Sequence, residues 1–172
     1  MASAEARSPL ILSSTKSSNF NMKSIKTQIV INAPVEQVWA TLTNFSTYPA
    51  WNPFIKSISS TATTGSQLVV SIQPPAQAEM TFYPTVLRAE KNKEFRWRGK
   101  LLIKGLFDGE HYFTLTPIDN QSTQLEHGEH FSGLLVSLIM RKIEANTQAG
   151  FEAMNQALKV QAEAISLPSS NS

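Results

Sequence analysis

Three side chains in the second half of the chain have the types and spacing for proton-transfer chemistry: His111, His127 and Glu129. His111 alternates with Phe113 and Leu115, and Leu125 alternates with His127, Glu129 and Phe131. Alternation with a period of two puts each set on one face of a strand. Asp119-Asn120 between the runs is a turn signal, so the two strands form a hairpin. Keeping both apolar sets on the inner face places His111 opposite Glu129 and Phe113 opposite His127. Side chains paired in this way lie ~5 Å apart, and diagonal neighbours ~7 Å. A slip of one residue turns one set outward. A histidine oriented by a carboxylate removes a proton beside a carbonyl, or protonates a departing hydroxyl. The same three groups are equally able to hydrogen-bond one another and only orient a ligand or brace the sheet. Both readings stand.

Other chemistries find less support. His127-Gly128-Glu129-His130 has a metal-like look, but residues three apart on a strand point to opposite faces. With no cysteine and only 3 histidines, no metal site is expected. There is no glycine-rich phosphate loop, dinucleotide fingerprint or nucleophile elbow, so no cofactor is expected either.

The elements that position these residues are legible in outline. Ile25, Thr27, Ile29 and Ile31 alternate with polar residues as a half-buried strand. Ala33-Pro34-Val35-Glu36 opens a helix with proline at its first position, and Val35, Val38, Trp39 and Leu42 follow at helical spacing. Residues 44–51 suggest a second short helix stopped by Pro49 and Pro53. Strands are expected at 54–60, 67–73, 80–89, 94–104, 109–117 and 122–131, separated by Thr64-Gly65, Pro74-Pro75, Lys91-Asn92-Lys93 and Asp119-Asn120. After Gly133, Ile139, Ile143, Gly150, Met154, Leu158 and Ile165 recur at helical intervals, with no proline before Pro168. Thirty residues of helix span roughly 45 Å. The fold expected is α+β: a curved antiparallel sheet of about seven strands around a long C-terminal helix, with two short helices after strand 1. A long helix cannot lie flat on a strongly curved sheet, so an internal cavity should open between them.

Composition bounds the partners. The chain has 172 residues, 41% hydrophobic and 16% charged, which suits one domain with a full core. A net charge of +2 gives no strong field, so nucleic acid is not an expected partner. No apolar run approaches the ~18 residues of a membrane span, so no integral membrane segment is expected. The absence of cysteine fits a reducing compartment, and a cytoplasmic location is the expectation. Residues 1–24 read as a disordered serine-rich tail, 25–166 as the folded domain, and 167–172 as a flexible tail. Oligomeric state is left open.

Several segments carry a family resemblance. Ile31-Asn32-Ala33-Pro34-Val35-Glu36-Gln37-Val38-Trp39 resembles the opening of the Bet v 1-like, START or SRPBCC superfamily, and Tyr48-Pro49-Ala50-Trp51-Asn52-Pro53-Phe54 resembles its second-helix signature. Phe95-Arg96-Trp97-Arg98-Gly99-Lys100-Leu101 is similar to its central strand. Gly105-Leu106-Phe107-Asp108-Gly109-Glu110-His111-Tyr112-Phe113 and His127-Gly128-Glu129-His130-Phe131-Ser132-Gly133 are similar to the strands that follow. Within it the chain looks most like the polyketide cyclase/dehydrase and lipid-transport branch. The resemblance implies a helix-grip fold and a small hydrophobic ligand held between sheet and C-terminal helix. One implied function is a cyclase-like protein that assists cyclisation, lactonisation or dehydration of a polyketide-like chain. On that reading His111, His127 and Glu129 are its catalytic residues. The alternative is a carrier of a lipid, quinone or sterol with no chemistry of its own, and a cochaperone role is a weaker third.

Strand parity and the resemblance together nominate the ligand contacts. Phe95, Trp97, Gly99 and Leu101 share the inner face of their strand, while Arg96, Arg98 and Lys100 form a solvated outer row. The ligand-binding candidates are Trp51, Asn52, Phe82, Trp97, Phe113, Leu125, Phe131 and Leu138. Trp39 is expected in the core, with Trp51 and Asn52 near the cavity mouth. Leu134, Leu135, Leu138, Ile139 and Met140 crowd the start of the long helix, and their surplus would line a portal or touch a partner.

Overall fold

The computed structural model describes residues 22–100 and 105–166. The expected tails, apart from Met22, Lys23 and Ser24, and the inner-face assignment of Leu101 lie outside the described residues. Strand β1 (Met22–Ile31) begins three residues before the expected start of structure at Ile25, because Met22, Lys23 and Ser24 already pair with Ser132, Phe131 and His130. Helix α1 (Val35–Thr43) follows, with Pro34 at its cap rather than in its first turn. The Pro34 carbonyl accepts from the Gln37 and Val38 amides. A single 3-10 turn (Phe45–Thr47) leads into α2 (Tyr48–Trp51). Pro49 does not stop that helix; it sits in the first turn, where no amide hydrogen is required.

Strands β2 (Ile55–Ser59), β3 (Val69–Ile72) and β4 (Met80–Phe82) form one antiparallel sheet in the order β2-β3-β4. Strands β5 (Thr85–Glu90), β6 (Glu94–Lys100), β7 (Asp108–Pro117) and β8 (Thr123–Ser132) join β1 in a second sheet, ordered β1-β8-β7-β6-β5. The strand expected at 80–89 is therefore two strands in two sheets. Pro84 has no amide to continue a ladder, and its carbonyl instead accepts from the Leu68 amide at 2.8 Å. That bond, a bridge between Gln67 and Thr85, and the Val86 amide on the Ser66 carbonyl tie the sheets into one bent surface.

Helix α3 (Val136–Ser166) crosses the inside of the bend. Its C-terminal half buries Phe151, Met154, Leu158 and Ala162 against β1 and α1. At Gly150 the helix packs against the chain after α2: a Cβ there would lie 2.3 Å from the Phe54 ring. Ile165, read as part of the apolar stripe, is exposed because the helix has run past the sheet. Trp39 is half-buried, packed on the edge of the core rather than within it. On the outer face, Arg96 pairs with Glu94 and Glu110, Arg98 with Glu110, and Lys26 with Glu126. Arg96 and Arg98 are thus neutralised by carboxylates on their own and the neighbouring strand, whereas Lys100, expected in the same outer row, stands at the cavity wall.

Candidate functional site

The N-terminal half of α3 roofs a cavity of about 220 Å³. Ile139, Ile143 and Thr147 face it from the helix, Phe54 from the chain before β2, and Val70, Ile72, Met80 and Phe82 from the smaller sheet. Trp97, Gly109, His111, Glu129 and Phe131 face it from the larger one. The lining is mostly apolar, with Gln77, Lys100, His111, Glu129 and Thr147 supplying the polar side chains.

The hairpin has the register expected from parity and a turn at Asp119-Asn120: His111 pairs with Glu129 and Phe113 with His127. His111 Nδ1 lies 3.3 Å from Glu129 Oε2, and His111 Nε2 lies 2.9 Å from His127 Nε2. His127 Nδ1 then meets Asn155 Oδ1 on α3 at 2.8 Å. The Asn155 amide donates to Thr27 Oγ1 at 2.8 Å, and the Thr27 hydroxyl donates to the His127 carbonyl at 3.1 Å. One continuous hydrogen-bonded chain runs from the cavity wall to β1.

Aromatic rings enclose the histidines. Trp97 stacks on His111 at 4.5 Å, while Phe113 and Phe151 stack on the two faces of His127 at 4.4 and 4.1 Å. Burial among these rings disfavours charge, so the His111 pKa falls from 6.5 to about 3. His127 is also lowered, by burial and then by His111, against the opposing hydrogen bonds of Asn155 and the Phe151 backbone. Burial pushes the Glu129 carboxyl up to about 8, with His130 pulling weakly the other way. At neutral pH both histidines are neutral and the carboxyl holds its proton. Both His111 and Glu129 line the cavity, and Glu129 is the more accessible, with 20% of its side chain exposed. Its Oε1 leans over Gly109, where a Cβ would sit 2.2 Å away. Any larger residue at 109 would make that carboxyl move.

The expected ligand residues divide. Phe82, Trp97 and Phe131 line the cavity, together with His111 and Glu129. His127 does not; it is fully buried behind His111. Phe113 and Leu125 also lie in the core, because the ladder carries them past the cavity toward the closed end of the sheet. Trp51 packs on Tyr48 and donates to Thr47 Oγ1, and is not among the residues that line the cavity. Asn52 is buried as a turn brace, its Oδ1 accepting from the Phe54 and Ile55 amides. Leu138 and Leu134 are exposed on the outer side, and Met140 is core; of that crowded segment, Ile139 faces the cavity. Sequence reasoning missed Thr27, Gly109, Thr147 and Asn155. Asn155 had a readable signal, as a polar residue between Met154 and Leu158 on the buried stripe of a helix.

A curved sheet gripping a long helix over a mostly apolar hollow defines a helix-grip protein. The chain belongs to the polyketide cyclase / dehydrase and lipid transport family, whose model matches residues 22–163. No curated protein matches it in sequence. Among solved structures it is similar to the Zhui aromatase/cyclase of a Streptomyces species, with a TM-score of 0.71 at 14% identity, covering 88% of this chain and 100% of that one. It is also similar to norcoclaurine synthase from Thalictrum flavum, with a TM-score of 0.67 at 11% identity over 86% of this chain and 98% of that one. A START superfamily protein from Mycobacterium smegmatis gives 0.64 at 22% identity over 83% and 98%. At these identities the likeness is one of fold. Among the described residues no helix is long and apolar enough to cross a membrane.

Proposed function

We propose that the cavity binds a small, largely apolar polyketide-like molecule and assists its cyclisation, lactonisation or dehydration, without a cofactor. The observation that carries this reading is the Glu129–His111 pair at the wall of an otherwise apolar hollow. A carboxyl that titrates at about 8 is poised to give or take a proton near neutral pH. Its Oε2 is turned to His111 and its Oε1 lies over Gly109 at the cavity wall, so an enol or phenol hydroxyl in the cavity is the group it would accept from. Glu129 is the acid/base residue on this reading, and His111 its partner. His127 supports His111 from behind. The aromatic walls exclude water and hold the chain in a folded conformation.

The size of the cavity narrows the occupant. About 220 Å³ lies below the ~300–1,000 Å³ of drug-sized sites, which favours a compact molecule over a two-chain lipid. A second reading, a carrier of a small quinone or sterol-like molecule, is favoured by the fact that the histidines satisfy one another. Native mass spectrometry of the protein purified from its own host, followed by analysis of the released compound, separates the two. A cyclised aromatic or lactone supports the first reading. An unchanged lipid or quinone at near-stoichiometric amount supports the carrier. With the substrate in hand, Glu129→Gln should keep ligand affinity and lower turnover ~10²–10⁴-fold. Unchanged turnover removes the acid/base role.

A further inference from the structure

We infer that Thr27 and Asn155, which lie outside the cavity, set the direction of every hydrogen bond in the chain that ends at Glu129, and so hold its carboxyl in the neutral form. The argument starts at the far end. The Thr27 hydroxyl has one proton and gives it to the His127 carbonyl, so Oγ1 must accept from Asn155. That fixes the Asn155 amide with Nδ2 toward Thr27 and Oδ1 toward His127. An acceptor at 2.8 Å requires the proton of His127 on Nδ1. With Nδ1 protonated, a neutral His127 presents a bare Nε2. His111 must then donate from its own Nε2, which leaves its Nδ1 bare and facing Glu129 Oε2. A lone pair there favours the carboxyl that carries a proton and disfavours the carboxylate. Reversal of the chain would put an N–H opposite Glu129 and stabilise the ion instead.

Burial raises the Glu129 carboxyl first, and the His111 bond is the direct polar contact that adds to it. On β1 the residue paired with Glu129 is Ile25, and on α3 the cavity-facing residues are Ile139, Ile143 and Thr147, none of them titratable. On β7 the facing groups are His111 and Gly109. His130 neighbours Glu129 on its own strand but points to the outer face, stacked on Tyr112, and Lys100 stands at the cavity wall on β6. Thr27 and Asn155 are positioning residues: they act on Glu129 through two histidines. The inference concerns protonation alone, so it stands or falls separately from the acid/base reading of the site.

The test is long-range proton–nitrogen correlation NMR of the imidazoles, with carbon-detected titration of the Glu129 carboxyl, in the full chain. In the wild-type protein His127 should carry its proton on Nδ1 and His111 on Nε2, with Glu129 titrating near 8. Asn155→Leu removes the acceptor and should move the His127 proton to Nε2, dropping the Glu129 midpoint toward the ordinary 4.5. Asn155→Asp keeps an acceptor at the same place and should restore the Nδ1 proton. Thr27→Val, which frees the amide to turn, should populate both tautomers and lower the midpoint part of the way. His127 protonated on Nε2 in the wild-type protein overturns the inference, whether or not the leucine variant folds. So does an unchanged Glu129 midpoint in folded Asn155→Leu or Thr27→Val.

Discussion

At the scale of single residues, the site is an exercise in keeping charge out. His111 and His127 are neutral because burial between aromatic rings penalises the cation, and Glu129 is neutral because burial penalises the anion. These shifts leave opposite marks on stability. Between 4.5 and about 8 the folded chain keeps the Glu129 proton that the unfolded chain has lost, so stability falls as pH rises. Between about 3 and 6.5 the unfolded chain binds a proton that His111 refuses, so stability rises with pH there, and the lowered His127 acts in the same direction. The cluster contributes most near pH 6.5. In Glu129→Gln the amide can still donate to His111 Nδ1, so the hydrogen-bond chain survives while the titration is gone. Urea unfolding from pH 6.5 to 8 should show the wild-type protein losing stability relative to this variant. Parallel curves would mean the carboxyl is already ionised at 6.5. Of this cluster the sequence displayed His111, His127 and Glu129, because strand parity and a turn signal fix a hairpin register. It could not display that the cavity ends at His111 and that His127 lies in the core, since that depends on where α3 crosses the sheet.

At the scale of elements, spacing told most of the story, and cross-element contacts told the rest. The long helix was visible from Ile139, Ile143, Met154 and Leu158, and the strands from their turns. The break at Pro84 was equally visible as a residue, yet its effect is to hand a carbonyl to Leu68 on another strand, a partner no local pattern names. Gly150 is the clearest case. Its place in the apolar stripe was legible, but its reason is the Phe54 ring, which leaves no room for a Cβ. Two effects compete when alanine replaces it. Helix propensity favours alanine by ~1 kcal/mol, while overpacking costs ~1–3 kcal/mol, so the net change should be a loss of up to ~2 kcal/mol. In a Phe54→Leu background the clash is relieved and the same substitution should stabilise by up to ~1 kcal/mol. Denaturant unfolding of both singles and the double gives the sign directly. A loss of equal size in both backgrounds would place the strain elsewhere.

At the scale of the whole molecule, α3 does two jobs in sequence. Its second half is bedded on β1 and α1 through Phe151, Met154, Leu158 and Ala162, whereas Ile139, Ile143 and Thr147 in its first half look into open space. Amides of 139–147 should therefore exchange faster than those of 151–162 in the empty protein, and ligand should slow the first set selectively. Hydrogen-exchange mass spectrometry reads both. Uniform protection along the helix would mean that it moves as one rigid piece and that the cavity is entered elsewhere. The hollow itself carries a stability penalty, because atoms lining a void lack contacts on one side. Ile143 is the place to test this, since it is half-buried and faces the cavity from the helix. Ile143→Trp would fill space now kept for ligand, and each cubic ångström filled is worth ~24 cal/mol, so the variant should hold or gain on the order of 1 kcal/mol. The same change should abolish binding of a compact probe such as naphthol, followed by its fluorescence. Ile143→Ala should do the reverse, losing stability while admitting larger ligands. Naphthol binding that survives the tryptophan would remove this cavity as the ligand site. A tryptophan variant that loses several kcal/mol would show instead that the space collapses in the empty protein and opens only around its ligand.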